Sequence, residues 1–231
     1  MFIIPSKFND KMFPILEETL EAIYKYRTND KIVIVDSFSS NDSYLLEIEK
    51  KPNVFIFDEK NKDYPPGAFA KVLLKNPDEK FYCLIHDNTL LKSDLANFID
   101  NKHQFYSFFN GGINNDISTI YGTSSIGIDN YDVISYANEM FKDTKYVPMR
   151  MGSAVPYHHF VIKNDLAKSL IDSKLLHNVK VEHKTQDNAW ERIFGMIFEQ
   201  EGYCAGQYYI DENYGPSNNN ILFEKKSYNR N

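Results

Sequence analysis

The sequence predicts an α/β protein with a Rossmann-like, mixed but mostly parallel central sheet flanked by helices. Two observations carry this prediction. Short apolar runs alternate with helix-length segments along the first hundred residues. One of these runs, KIVIV at 31–35, is nearly continuous β-branched residues, as a strand covered on both faces requires. Strands that alternate with helices in this way form parallel βαβ units with right-handed crossovers.

The first half of the chain supplies four strands. They are predicted at 2–4 (FII), 31–35 (KIVIV), 54–57 (VFIF) and 81–85 (FYCLI). The first helix follows from apolar residues that recur at intervals of three and four, namely Phe13, Leu16, Leu20 and Ile23. A short helix is expected after the polar loop 36–42, and another at 65–75, where proline stands at the start. Ser93 is a candidate N-cap for a helix at 94–100.

The second half is less regular. A strand is predicted at 104–109, and apolar spacing predicts helices around 133–141 and after Asn164. The strongest late element is a helix at 185–202, which Thr185 can cap. Without an internal repeat or a linker, we expect one domain over 1–231, with a nucleotide-binding half at 1–100 and an acceptor-binding half at 101–231 that ends in a frayed C-terminal tail.

Composition excludes several function classes. The 231 residues carry 26 Lys and Arg against 32 Asp and Glu, a formal charge of -6, and no basic run is long enough to follow a phosphate backbone. Nucleic acid is therefore not expected as a partner. No apolar run approaches the roughly 18 residues of a membrane span. We expect a cytoplasmic protein, with contact to a membrane only at its periphery. The oligomeric state is not predicted.

Polar residues mark the ends of the predicted strands. The run FYCLI stops abruptly at His86-Asp87-Asn88, Asp36 follows the second strand, and Asp187 stands at the start of the late helix. Open α/β sheets bind ligands outside the carboxyl ends of their strands, so these residues are site candidates. The glycine patterns of dinucleotide folds and P-loops are absent, as is a G-x-S-x-G nucleophile elbow.

These segments, in order, resemble the GT-A glycosyltransferases, in particular the inverting family 2 type. The resemblance covers roughly residues 1–203. FIIPSKF opens the chain, IVIVDSFSSNDS takes the place of the family's first acidic loop, HDNT the place of its Asp-x-Asp motif, and TQDNAW the place of the acidic pair that holds the catalytic base. It implies a nucleotide-diphosphate sugar donor, a divalent cation and a hydroxyl acceptor.

Residue by residue, the resemblance implies a nucleotide site. Asp36 would bind the base of the nucleotide, although a turn or capping role is its alternative. The other nucleotide-binding candidates lie at strand ends or in the helix predicted at 65–75, and they are Pro5, Ser6, Lys7, Gly67, His86 and Asp87.

The resemblance also implies a weakly held Mn²⁺ or Mg²⁺ ion. Asp87 is the candidate ligand, with Asn88 beside it, because a hard cation that bridges two phosphates needs oxygen ligands. His86 and Asn88 stand where the family has acidic residues, so a metal-free or inactive protein is an alternative. His158 and His159 could complete a metal shell or contact the diphosphate, but a lone histidine is more often structural.

Asp187 is the candidate general base, which would take the proton of the acceptor hydroxyl. Gln186 replaces the first acid of the family's pair. Trp190, one turn along the helix, and Gly152 are candidate acceptor contacts, and core packing is the alternative for Trp190.

Together these residues predict transfer of a sugar from a nucleotide-diphosphate sugar, UDP-linked by preference, to a saccharide hydroxyl in glycan biosynthesis. Transfer would proceed with inversion and with help from the cation. Two alternatives remain: a catalytically silent module that binds glycans or nucleotides, and a sugar nucleotidyltransferase.

Overall fold

A computed structural model describes residues 1–8, 13–97, 105–107, 130–148, 155, 158–201, 209–211, 215–216 and 223–226. Its main sheet has six strands in the order β3-β2-β1-β4-β7-β6. They are β1 (Phe2–Ser6), β2 (Ile32–Asp36), β3 (Val54–Ile56), β4 (Phe81–Leu84), β6 (Phe105–Ser107) and β7 (Phe160–Lys163). The first four are mutually parallel, and β7 runs antiparallel to both β4 and β6. The predicted mixed, mostly parallel sheet is confirmed.

Alternation along the strands gives the sheet two apolar faces. On β2, Ile32 and Ile34 pack towards one core and Val33 and Val35 towards the other. The first core is closed by α1 (Phe13–Arg27) and α2 (Ser43–Ile48). The second core is closed by α3 (Tyr64–Lys75), α4 (Asn130–Met140), α5 (Asn164–Asp172) and α6 (Lys184–Gln200). Because both faces are covered, the strands need apolar residues at nearly every position, which explains the continuous runs in the sequence.

A second, smaller sheet is a feature that the sequence analysis missed. It has the order β5-β10-β8-β9, formed by β5 (Thr89–Leu91), β8 (Tyr209–Asp211), β9 (Gly215–Pro216) and β10 (Phe223–Lys225). The start of the predicted frayed tail is therefore a strand that pairs antiparallel with β5. Phe223 is fully buried in the core beside α1, and its burial anchors the C-terminal strand.

Two helix starts differ from the prediction. The described part of the segment after Ser93, which ends at Asn97, forms a 3₁₀ turn at Leu95–Asn97, where the Asp94 carboxylate accepts the Ala96 N–H. The late helix begins one residue before Thr185, with His183 at the N-cap position. None of the described helices is long and apolar enough to cross a membrane.

Candidate active site

A cavity of about 670 Å³ opens at the carboxyl ends of the central parallel strands. Its walls come from the ends of β1 and β4, the loop after β2, the loop before α3 and the first turn of α6. The lining residues are Pro5, Ser6, Lys7, Phe8, Ser37, Phe38, Asn61, Lys62, Tyr64, Pro65, His86, Asp87, Glu182, Lys184 and Asp187. This is the edge where open α/β sheets bind ligands. The structure thus brings six of the predicted site residues together, and their roles stay predictions.

The turn after β4 is fixed from two sides. The Ser6 hydroxyl donates to Asp87 Oδ2 at 3.0 Å, and the Thr19 hydroxyl of α1 donates to the Asp87 carbonyl at 2.9 Å. These contacts hold the Asp87 carboxylate between the ends of β1 and β4. Asp87 is therefore a preorganised acceptor at the cavity wall.

Asp36 lies beside the cavity but does not line it. It is 2% exposed, and its carboxylate accepts hydrogen bonds from the Tyr44 hydroxyl at 2.8 Å, the Ser39 N–H at 3.1 Å and the Ser39 hydroxyl. Lys60 Nζ lies 3.7 Å away and is paired more closely with Asp42. The carboxylate therefore holds the loop whose residues Ser37 and Phe38 line the cavity, and in this structure the turn role applies.

Gly67 is placed differently from its predicted role. It lies in the first turn of α3, buried, and is not part of the cavity wall. A Cβ added to Gly67 would stand 2.3 Å from the Asp63 Cβ and 2.6 Å from Asn61 Oδ1. Glycine is needed here for close packing against the loop before α3, and contact with a nucleotide would be indirect.

Asp187 is the most strongly paired carboxylate at the cavity. His158 Nε2 lies 2.9 Å from Asp187 Oδ1, and the Lys184 ammonium forms an ion pair with Oδ2. Burial alone would raise the pKa of Asp187. The hydrogen bond from His158 and the adjacent charges outweigh burial and lower the pKa to about 2. Asp187 is therefore ionised at every physiological pH, as an acceptor of a proton must be.

Two further histidines meet at the turn after β4: His86 belongs to this turn and lines the cavity, and His159 directly precedes β7. The His86 and His159 rings meet edge to face at 4.7 Å between centroids, and the His86 N–H donates to His159 Nε2 at 3.2 Å. Burial, together with neighbouring positive groups, lowers the pKa of both rings well below the usual histidine value. The two imidazoles are neutral at pH 7, and they add no positive charge to the site.

The two residues predicted to hold a divalent cation do not face the same space, because Asp87 lines the cavity and Asn88 does not. Asn88 is 5% exposed, donates its side-chain amide to the Lys226 carbonyl at 2.7 Å and does not line the cavity. Asp87 is left as the one carboxylate at this strand end, and its Oδ2 already accepts the Ser6 hydroxyl. Among the described residues, no group of three His, Cys, Asp or Glu is placed to hold a metal ion. In this structure the Asn88 amide is directed at Lys226 and not at the cavity, and its role as a metal ligand stays a prediction.

Trp190, a candidate acceptor contact, lies in the core and not at the cavity. Trp190 is fully buried, its ring lies 5.2 Å from that of Phe194, and its indole N–H donates to the Tyr136 hydroxyl at 3.1 Å. A ring enclosed on all sides cannot stack on a sugar, so the core role that its helical spacing indicated applies. Gly152 lies outside the described residues.

Several cavity residues carried no signal in the sequence. Phe38 and Tyr64 line the cavity, although each stood in a segment predicted for a loop or the start of a helix. Lys62 and Lys184 add positive charge to Lys7 at the cavity wall. A basic residue next to a predicted strand end or helix start is the only cue that could have found the two lysines, and it is common on any surface.

No family model matches the sequence, and no curated protein does either. Solved structures do resemble the fold. S. aureus TarS superposes with a TM-score of 0.56 at 14% identity over 98% of this chain, and its crystallised fragment 1–349 with a TM-score of 0.52 at 15% identity over 97%. The chain spans 36% of the former structure and 59% of the latter.

The galactosyltransferase LgtC, in complex with donor and acceptor sugar analogs, superposes with a TM-score of 0.54 at 9% identity, over 97% of this chain and 86% of that one. Identities this low establish architecture alone. The mostly parallel sheet flanked by helices, with its cavity at the carboxyl ends of the strands, is the GT-A fold of such glycosyltransferases.

Proposed function

We propose that this protein is a glycosyltransferase that moves a sugar from a nucleotide-diphosphate sugar to a hydroxyl of a saccharide acceptor. One observation carries the proposal: in a GT-A fold, the cavity at the carboxyl ends of β1 and β4 contains an ionised aspartate, Asp187, across from the Ser6 and Asp87 wall. The order of elements along the chain fits the resemblance found in the sequence, whereas His86, Asn88 and Gln186 depart from the family's acidic residues. A UDP-linked donor is the first choice on that resemblance.

Asp187 serves as the general base in the proposed reaction. The acceptor hydroxyl gives its proton to the Asp187 carboxylate while its oxygen bonds to the anomeric carbon of the donor. The bond from that carbon to the diphosphate oxygen breaks, and the nucleoside diphosphate leaves with the electron pair. A single displacement of this kind inverts the anomeric carbon. Proton transfer to a positioned base contributes about 10²- to 10⁴-fold to the rate.

His158 is a positioning residue for that base. The Asp187 carboxylate is 1% exposed, so its direction is set by its partners and not by water. The His158 backbone has a left-handed φ of 55°, which a non-glycine residue adopts at a cost, and this conformation places the ring against Asp187. Lys184, whose side chain is 67% exposed, is the partner that an incoming acceptor can displace.

The departing diphosphate needs positive charge, and lysines supply it in our proposal. Lys7, Lys62 and Lys184 line the cavity, and neither Lys7 nor Lys62 has a carboxylate within 4 Å among the described residues. Ammonium groups beside a developing phosphate charge stabilise it electrostatically. Since Asp87 is the one carboxylate that the described residues place at the end of β4, no step of this mechanism is routed through a cation.

The halves of the chain divide the work. The proposed nucleotide-binding half, 1–100, contributes the walls formed by β1, β2, β4 and the loop before α3, and the half from 101 to 231 contributes Asp187 and the acceptor side.

A catalytically silent binding module is the second candidate. It is favoured by the low pKa of Asp187, which makes the carboxylate a weak base, and by the buried Asn88.

The test separates the two candidates by comparing binding with turnover. UDP, GDP, CMP and dTDP are screened by thermal shift, and the donors of each binding nucleotide are then assayed for release of nucleoside diphosphate, with water or saccharides as acceptors. We expect one nucleotide to raise the Tm and its sugar donor to turn over. Asp187→Asn should bind that nucleotide normally and lose at least 100-fold in turnover.

Asp143→Asn, an exposed carboxylate remote from the cavity, is the matched control and should behave like the wild type. Tight binding without turnover of any donor would favour the silent module. A flat panel would refute the transferase and leave only a silent module that binds glycans.

A further inference from the structure

Backbone strain is concentrated at the candidate active site. Six non-glycine residues have a left-handed φ among the described residues, and three of them, Asn53, Asp143 and Lys174, stand in turns away from the cavity. The other three are Phe38 with φ 58°, Tyr64 with φ 54° and His158 with φ 55°. Phe38 and Tyr64 line the cavity, and His158 bonds to Asp187. Bulky residues rarely adopt this conformation, and such outliers gather at ligand clamps.

Phe38 is also exposed where burial would be the ordinary outcome. Its side chain is 55% exposed, one of four large apolar residues that are exposed in the described part of the chain. The ring therefore gains little from the hydrophobic effect in the free protein, and the backbone beneath it is strained. Packing in the free protein accounts for neither feature.

The loop is built to hold Phe38 in this position. On one side, the Ser37 N–H donates to the Ser6 carbonyl at 2.7 Å. On the other side, Ser39 donates its N–H to Asp36 and accepts the Phe8 N–H at its hydroxyl oxygen at 2.7 Å. With both neighbours tied to the sheet, Phe38 cannot relax to an ordinary φ without breaking these bonds. A strained residue persists only where its surroundings fix it in this way.

We propose that Phe38 is a stacking platform for the nucleobase of the donor. This inference rests on the proposed function, which supplies a planar, aromatic ligand group at this end of the cavity. The loop after β2 lines the cavity on the nucleotide-binding half, whereas Asp187 lines it from the first turn of α6. Stacking on an exposed aromatic face tolerates any base, so Phe38 would fix the position of the nucleotide, and other contacts would select the base.

Replacement by glycine gives this proposal a distinctive signature. Phe38→Gly removes the ring and also relieves the left-handed strain, since glycine adopts φ near 58° freely. We expect the free variant to melt about 2–4 °C higher than Phe38→Ala, which loses the ring but keeps the strain. Both variants should bind UDP, or whichever nucleotide the wild type binds, about tenfold more weakly, and Phe38→Tyr should bind within twofold of the wild type.

Two controls define the contact. Lys174→Gly relieves a left-handed residue remote from the cavity, and it should raise the Tm without changing nucleotide affinity. Inorganic pyrophosphate, which has no base, should bind Phe38→Gly and the wild type equally. Unchanged nucleotide affinity in Phe38→Gly would overturn the stacking role and leave the proposed function intact. Equal losses for pyrophosphate and nucleotide would also overturn it, whereas a wild type that binds no nucleotide would refute the proposed function itself.

Discussion

Two buried aspartates at the same edge of the sheet, Asp36 and Asp187, differ in what holds them. They are 2% and 1% exposed, and both were predicted as site residues. Asp36 accepts hydrogen bonds mainly from the neutral groups of Ser39 and Tyr44, and it is closed off beneath a loop. Asp187 is held by His158 and the Lys184 ammonium, and it faces the cavity.

Burial does not distinguish the carboxylate that holds a loop from the one proposed to react, but their hydrogen-bond and ion-pair partners do. A carboxylate surrounded by hydroxyl and amide donors is a rigid acceptor with nothing to exchange. A carboxylate paired with an exposed lysine can exchange that lysine for a substrate, because water solvates the lysine ammonium once the ion pair is broken.

The largest loss of stability should follow from replacing His158, the buried partner of Asp187 that a substrate cannot displace. His158→Ala leaves a buried ionised carboxylate with one partner fewer, and breaking a buried pair of this kind costs about 3 kcal/mol. Loss of the hydrogen bond also raises the pKa of Asp187, so the acid limb of the activity profile should move to higher pH. Urea unfolding and a pH profile of donor turnover measure the two effects.

His158→Gln is the control for this experiment, because its amide restores a donor near the position of Nε2 at a similar backbone cost. It should recover most of the stability and return the acid limb towards lower pH. An acid limb that is the same in wild type and His158→Ala would show that Asp187 is not the titrating base.

The matching change on the other side of the comparison is Asp36→Ala. It strands the buried Tyr44 hydroxyl and frees the Ser39 N–H, which should cost about 2 kcal/mol and lower the Tm by roughly 4–8 °C. If Asp36 acts only through the loop, Asp36→Asn, which keeps an acceptor oxygen, should bind nucleotide within about threefold of the wild type. A loss of tenfold or more in Asp36→Asn with normal stability would instead favour direct contact with the base.

The parallel half of the fold could be predicted because its signals are local. The strand at Ile32–Asp36 and the helix at Phe13–Arg27 follow from apolar runs and spacing within a dozen residues. The small sheet could not be predicted, because β5 and β10 lie more than a hundred residues apart. No local apolar run marks either strand, and only tertiary pairing defines them.

The candidate site divides in the same way. Strand ends gave Ser6 and Asp87, and a helix start gave Asp187, because topology alone brings such positions to one edge. The directions of the side chains could not be predicted from the sequence. Asn88, next to Asp87 in sequence, donates its amide to the Lys226 carbonyl, and the left-handed φ of Phe38 is visible only in the structure. His158 was noted as a possible ligand, but its bond to Asp187 spans 29 residues and had no sequence signature.

Acid should lower the free energy of unfolding because it protonates Asp187. Its pKa is about 2 in the folded state against 3.8 for the ordinary value, so its contribution to the free energy of unfolding is complete above about pH 4. That contribution, about 2 kcal/mol, is lost as the pH falls towards 2. Urea unfolding of wild type and Asp187→Asn between pH 5 and pH 2 should show a steeper decline in the wild type. Parallel declines would mean that the pKa of Asp187 is not depressed.

The smallest loss of stability should come from Tyr44→Phe, which removes one neutral hydrogen-bond donor from Asp36 and leaves the aromatic ring in place. The ring packs against Phe8 at 5.1 Å between centroids and against Phe13, so its apolar burial survives the change. Asp36 keeps the two donors of Ser39, and the net loss should be about 1 kcal/mol, a shift of roughly 2–4 °C in Tm. Nucleotide binding should not change, since Ser39 still ties the loop to the sheet. A weaker attachment of the loop would affect Phe38 first. A drop in nucleotide affinity in Tyr44→Phe, at nearly full stability, would therefore show that Asp36 acts on the cavity through its loop. Asp36 and Asp187 would then differ in their distance from the ligand.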